Sequence, residues 1–135
     1  MRFPILSIGL ILLMVLLAYQ QMNAKEDNPV RIGVDGLSHD HVHGLLNDYK
    51  ARTDIQIVGI VEPNKKRAQE LSDRYGFDMS MVYDDLATML EEVKPEGVVA
   101  FNSIYDHLHT VEVCAPRGVH VMVEKPLAVS VEHVE

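Results

Sequence analysis

The chain has 135 residues, 47% of them hydrophobic and 24% charged, and carries a formal net charge of −8. That length suits one domain of ordinary size. The acidic balance and the absence of any basic block exclude nucleic acid and anionic membrane surfaces as natural partners. A single cysteine, Cys114, excludes an internal disulfide framework and a multi-cysteine zinc site, and reads as a small buried hydrophobe.

The first 24 residues differ in kind from the rest. Arg2 precedes an apolar stretch from Ile5 to Ala18, and Tyr19 to Ala24 then lead into the charged Lys25-Glu26-Asp27. A basic start, a short apolar core and a small residue before polar sequence describe a secretory signal, so an exported protein (periplasmic or extracellular) is expected. The apolar stretch is short for a membrane span, which needs about 20 residues. Met22 stands where a cleavage site prefers a small residue, so a retained N-terminal anchor is the alternative, and only then does the chain meet a membrane. No cysteine follows the core, which excludes a lipoprotein. Residues 25–29 form a polar linker closed by Asn28-Pro29.

The remaining 106 residues, 30–135, alternate between apolar runs and helical patterns. Val30 to Val34 is the first strand, turning at Asp35-Gly36-Leu37-Ser38 into a helix that runs to about Ala51. Ile55 to Val61 is a second strand ending at Glu62. A helix from Lys65 to Tyr75 follows, capped by Asn64 and stopped by Gly76. Met81-Val82-Tyr83 is a short third strand, and Asp84 caps a helix through Val93 that Lys94-Pro95 breaks. Gly97 to Phe101 is the fourth strand. A helix from about His107 to Pro116 ends at Gly118, before a fifth strand over Val119–Val123. Ser130 can cap one more helix.

Five strands alternating with helices, several of them unbroken apolar runs, indicate a parallel sheet covered on both faces. The expected fold class is α/β, a doubly wound, mostly parallel sheet of Rossmann type. Its ligand site lies at the carboxyl ends of the strands. The fingerprint there is G-x-G-x-x-G. Gly36 matches the first glycine, Ser38 takes the second place and His41 the third. A serine Cβ crowds the approach to a pyrophosphate, although its hydroxyl can donate to a phosphate oxygen. An imidazole in the third place either forces the helix outward or turns toward the ligand. Glu62 stands near the place where an acid accepts from adenosine ribose hydroxyls and repels a 2′-phosphate. NAD is therefore expected, with NADP as the alternative because Lys65, Lys66 and Arg67 follow closely.

The fifth strand runs into Glu124-Lys125-Pro126-Leu127-Ala128, which aims a carboxylate and an ammonium at that same edge. With the strand–helix pattern before it, from about Val30 to Glu135, this segment resembles the Glu-Lys-Pro motif of the Gfo/Idh/MocA family. Those are NAD(P)-dependent oxidoreductases of sugars, cyclitols and related compounds. The resemblance implies that Lys125 sits beside the nicotinamide and the reacting hydroxyl, as base or as a protonated group orienting the substrate oxygen, and that Glu124 positions it. It also implies that Asn102 and Ser103, in place of the family's Thr-Pro, flank the nicotinamide ribose, and that His107 keeps the family's histidine. The substrate implied is a small sugar or polyol, and the resemblance admits a homo-oligomer. The family's usual acid/base partner and most substrate contacts come from a second, α+β domain. The sequence ends before one, so it reads as a fragment holding a cofactor site and half an active site, which alone would not turn over.

Five of seven histidines cluster, His39, His41 and His43 in one run and His107 and His109 in another. Imidazole suits zinc, copper and nickel. Histidines two apart on a helix point about 200° from one another, so they chelate well only where the segment is extended. Lining of the cofactor cleft or helix capping is the preferred role, and no metal ligand is assigned. Two other functions stand beside the oxidoreductase: a non-catalytic nucleotide- or sugar-binding module, and an exported histidine-based metal-binding protein.

Overall fold

The computed structural model describes residues 28–134 and Met14. The expected signal or anchor over residues 1–24, apart from Met14, and residues 25–27 of the linker lie outside the described residues. Among the described residues no helix is long and apolar enough to cross a membrane.

Strands β1 (Val30–Asp35), β2 (Ile55–Val61), β3 (Val82–Tyr83), β4 (Gly97–Ala100) and β5 (His120–Val123) form one sheet in the order β3-β2-β1-β4-β5. All pairs are parallel. Helices α1 (Val42–Asp48), α2 (Lys65–Tyr75), α3 (Leu86–Val93) and α4 (His107–Cys114) link them. The chain winds outward from β1 to β3, then returns to β1's other side with β4, so the switch point falls between β1 and β4.

Side chains alternate across a strand, and both faces here are buried, which is why the strands read as continuous apolar runs. On one face Ile32, Val34, Ile57 and Ile60 pack with Val42 and Leu46 of α1 and Leu71 of α2. On the other, Val61 and Val98 pack with Leu86, Met89 and Leu90 of α3 and Cys114 of α4. Gly33 and Gly59 are partners across β1 and β2. A Cβ on Gly33 would stand 2.5 Å from Met89 Cε, and one on Gly59 would stand 2.7 Å from its Cγ. The two glycines together make the seat for Met89, which is wholly buried.

Helix α2 keeps its expected bounds, because its start and stop signals both act: Asn64 accepts from the Arg67 amide at 3.1 Å and Gly76 adopts φ 72°. Other boundaries move. Asp85, not Asp84, caps α3, accepting from the Thr88 amide at 2.8 Å and its hydroxyl at 2.7 Å. The residue just before the first helical one holds the extended backbone that aims a carboxylate at that amide, and Asp84 pairs instead with Lys65 at 2.6 Å. Met81 belongs to a 3-10 turn, Met79–Met81, rather than to β3. Ser130 precedes only a 3-10 turn, Val131–His133. The largest change is at α1, expected to begin at the Ser38 turn and run to Ala51 but spanning only Val42–Asp48. The amides of Ser38 and His39 are both drawn to the carbonyl of Phe101, at 3.1 and 2.9 Å, which holds this stretch out of the helix.

Candidate functional site

The loop after β1 presses on the loop after β4. Gly36 has φ 82°, a conformation that costs little only for glycine. A Cβ there would lie 2.6 Å from the Cα of Asn102. The Gly36 amide donates to the Val61 carbonyl at 2.8 Å, which ties the same turn to β2. The Phe101 carbonyl takes the Ser38 hydroxyl at 3.2 Å besides the two amides already described. Ser38, expected to offer its hydroxyl to a phosphate, therefore spends it on the chain.

Behind this contact lies a buried polar triad. Asp35 Oδ2 accepts from the Thr110 hydroxyl at 2.7 Å and from Asn102 Nδ2 at 3.0 Å. Burial pushes the Asp35 carboxyl above the usual range, with the Thr110 hydrogen bond pulling the other way. Asn102 also donates to Thr110 at 3.0 Å, which fixes its amide and leaves Oδ1 buried with no partner among the described residues.

A cavity of roughly 460 Å³ opens at this edge of the sheet, lined from the loops after β1, β2 and β4 by Gly36, Ser38, Glu62, Asn64, Arg67, Asn102, Ser103 and His109 among others. Glu62 is 6% exposed. Its Oε2 accepts from the Leu37 amide at 3.1 Å and its Oε1 from the Asn64 amide at 2.9 Å. Each oxygen keeps acceptor capacity for one more donor. Of the three cations after Glu62, only Arg67 lines the cavity, while Lys65 is paired with Asp84 and Lys66 lies 3.9 Å from Glu70. A glycine turn at the switch point, an acid at the end of the second strand and a buried, orphaned amide oxygen on a residue that lines the cavity suit a dinucleotide.

The Glu-Lys-Pro segment follows β5 beside this cavity's loops. Glu124 Oε1 lies 2.8 Å from His41 Nδ1, and this hydrogen bond holds the Glu124 carboxyl below its usual range. Glu124 Oε2 accepts from the Lys125 amide at 3.3 Å. Lys125 itself is exposed, and its bond to Pro126 is cis. Of the two fates open to an imidazole at position 41, the structure shows a third: the helix starts after it and the ring turns to Glu124. His107 is 2% exposed, with Nδ1 3.2 Å from the Leu127 carbonyl, and lines a smaller cavity away from the main one. The structure thus gathers Gly36, Ser38, Glu62, Asn102 and Ser103 around one cavity, and His41 with Glu124 in a neighbouring pair. His109 lines the cavity, one of the two roles preferred for its cluster, whereas Asp35 and Thr110 were not singled out in the sequence. Position alone signals Asp35, since a carboxylate at the carboxyl end of the first parallel strand abuts any ligand at the switch point.

A parallel sheet of this order with this site defines a dinucleotide-binding Rossmann domain. The chain belongs to the Gfo/Idh/MocA oxidoreductase family, with its NAD-binding Rossmann fold, whose model matches residues 30–135. It is 31% identical over 112 residues to D-glucoside 3-dehydrogenase of Escherichia coli K12, a match covering 82% of this chain and 31% of that one. Among solved structures, a dehydrogenase from Chromobacterium violaceum is 26% identical with a TM-score of 0.67, over 79% of this chain and 31% of its own. The scyllo-inositol dehydrogenase of Lactobacillus casei, solved with NAD(H) and scyllo-inositol, shares the fold at 19% identity and a TM-score of 0.67, over 78% and 31%. The chain spans about a third of the length of these relatives.

Proposed function

We propose that this chain is the cofactor-binding half of a dehydrogenase that transfers a hydride between NAD and a sugar, cyclitol or related hydroxy compound. The observation that carries the reading is the cavity at the switch point, with Gly36 beneath it, Glu62 at the β2 side and the unpartnered Oδ1 of Asn102 at the β4 side. The relatives support the substrate class, a glucoside in one and scyllo-inositol in another.

When bound, NAD supplies the hydride acceptor. Glu62 accepts from the adenosine ribose hydroxyls with the lone pairs its two backbone contacts leave free, and disfavours a 2′-phosphate. Gly36 and Ser38 floor the pyrophosphate stretch. Asn102 and Ser103 orient the nicotinamide ribose, and buried His107 backs their loop. Lys125 takes or holds the proton of the reacting hydroxyl. Glu124, ionised and anchored on His41, fixes the start of the loop that carries Lys125. Residues 1–24 direct export, which N-terminal sequencing of the native protein tests: a start at Lys25 is expected, and an intact Met1 would favour an anchor.

One observation favours a second reading, a module that binds a nucleotide or sugar without turnover. The Ser38 and His39 amides and the Ser38 hydroxyl, which a glycine fingerprint would leave free for a phosphate, are spent on Phe101. Calorimetric titration of the native protein with NAD and NADP, then assay of NADH formation from glucosides and inositols, separates the two. The dehydrogenase reading expects NAD to bind more tightly than NADP. It expects Lys125→Met to keep NAD binding and lose turnover by about 100-fold or more. Saturable binding with no turnover supports the module, and no dinucleotide binding refutes the dehydrogenase.

A further inference from the structure

The geometry points to a divalent metal site of zinc type formed by His39, His41 and Glu124, where the turn after β1 meets the Glu-Lys-Pro segment. One ligand atom from each of the three lies within 4.8 Å of the others. The closest pair, His41 Nδ1 and Glu124 Oε1, is at 2.8 Å, and the two imidazole rings meet edge to face with centroids 4.7 Å apart. Metal–ligand bonds of about 2.0–2.1 Å set neighbouring tetrahedral ligands about 3.3 Å apart. Each pair therefore stands within about 1.5 Å of that spacing, a shift within reach of side-chain rotation.

Histidines two apart converge poorly on a helix, and this is the objection the structure removes. Helix α1 begins at Val42, so His39 and His41 lie in the preceding turn, where their rings come together. The other clustered histidines go elsewhere: His43 to the Tyr75 hydroxyl at 2.8 Å, His107 to Leu127, and His109 to the main cavity. Two imidazoles and a carboxylate are a donor set that zinc takes in catalytic sites, leaving a fourth position open. The existing contacts yield cheaply. Ligation through His39 gives up the 3.2 Å bond from the His41 amide, and the cation takes the place of the proton between His41 and Glu124. His41 and Glu124 also rim a second cavity of roughly 530 Å³, which leaves room for water or an oxygen-bearing small molecule as fourth ligand. Bound there, the metal clasps the β1 turn to the residue next to Lys125.

This inference stands on the three side chains and does not need the dehydrogenase reading. The test is calorimetric titration of the native protein, stripped with chelator, with zinc chloride alone. One zinc per chain is expected, with His39→Ala and His41→Ala each weakening it by about 100-fold or more. His120→Ala, an exposed histidine at the opposite end of β5, should leave it unchanged. If His41→Ala fails to fold by circular dichroism, His39→Gln carries the same expectation. Absence of zinc binding, or zinc binding that survives the His39/His41 double substitution, overturns the site. NAD titration of the same stripped protein reports separately on the cofactor reading.

Discussion

Three glycine-to-alanine substitutions separate what backbone conformation and close approach each contribute to the site. Gly44 lies inside α1 with nothing within 4 Å of an added Cβ. Gly44→Ala should stabilise the domain by about 0.5–1 kcal/mol, since alanine loses less backbone entropy in a helix. Gly118 has φ 69° but open space around it, so Gly118→Ala isolates the left-handed backbone term, about 1–2 kcal/mol of destabilisation. Gly36 combines φ 82° with a Cβ that would stand 2.6 Å from the Cα and Cβ of Asn102 and 2.7 Å from its amide nitrogen. Those are mostly backbone atoms, so the loop after β4 must move. Moving it strains the hydrogen bonds from Asn102 to Asp35 and Thr110, both 3.0 Å and each worth about 1 kcal/mol. Gly36→Ala should therefore cost about 3–4 kcal/mol. For a domain of this size that lowers Tm by more than about 10 °C. The assays are scanning calorimetry and NAD titration of all three variants. NAD affinity should fall at least about tenfold for Gly36→Ala and hold for Gly118→Ala. A Gly36→Ala protein no less stable than Gly118→Ala would refute the close approach of the two loops.

Glu62→Gln leaves one of two amides, the buried one of Leu37 or the half-buried one of Asn64, facing a donor instead of an acceptor, at a cost of about 1–3 kcal/mol where the amide is buried and less at Asn64. Paired NAD and NADP titrations should show the preference for NAD shrinking, and an unchanged ratio would remove Glu62 from the ribose. Burial raises the Asp35 carboxyl in the folded chain, so the native state holds this proton more tightly than the unfolded state. Its contribution to stability accordingly falls as pH rises from the unfolded value of 3.8 toward the raised one. Asp35→Asn, which keeps an acceptor for Thr110, should flatten that stretch of the stability–pH curve, measured by urea unfolding across pH. A curve that keeps its slope would place the titration elsewhere. Burial pushes the Cys114 thiol up to about 11. Iodoacetamide at about pH 8 should thus label the unfolded chain and spare the native one by mass spectrometry, and fast native labelling would contradict the packing against α3.

The class of fold was legible because both signals it needs are local. Continuous apolar runs report a sheet covered twice, and the α2 limits are written in Asn64 and Gly76. Three of the residues expected to meet a cofactor were legible because they sit where strands end: Glu62 follows β2, Asn102 and Ser103 come just after β4, and all three line the cavity. What was not legible depends on contacts between loops. The start of α1 is decided by the Phe101 carbonyl, 63 residues from Ser38, and no periodicity near Ser38 shows it. The Asp35–Thr110–Asn102 triad joins residues up to 75 apart, and Thr110 looks like any small helical residue until the sheet brings β1 beside α4. The histidines were legible as a cluster but not as a partnership with Glu124, 83 residues beyond His41.

Those long-range contacts share one segment, the turn from Gly36 to His41. It is bound to the end of β2 through the Val61 carbonyl and Glu62, to the end of β4 through Phe101, and to the end of β5 through Glu124. An ordinary glycine fingerprint frees its backbone for a phosphate. Here Ser38 and His41 substitute bonds to protein for that freedom. The cost falls on phosphate contacts, because the donors of residues 38 and 39 are already used. The gain is rigidity across the sheet edge, since the wall of the switch-point cavity and the residue before Lys125 rest on the same six residues. Substitution at His41 should therefore be felt at Lys125, by way of Glu124, more than at the Glu62 side of the cavity. The ratio of turnover lost to NAD affinity lost in His41→Ala measures that coupling. A loss confined to NAD affinity would mean the turn serves the cofactor alone.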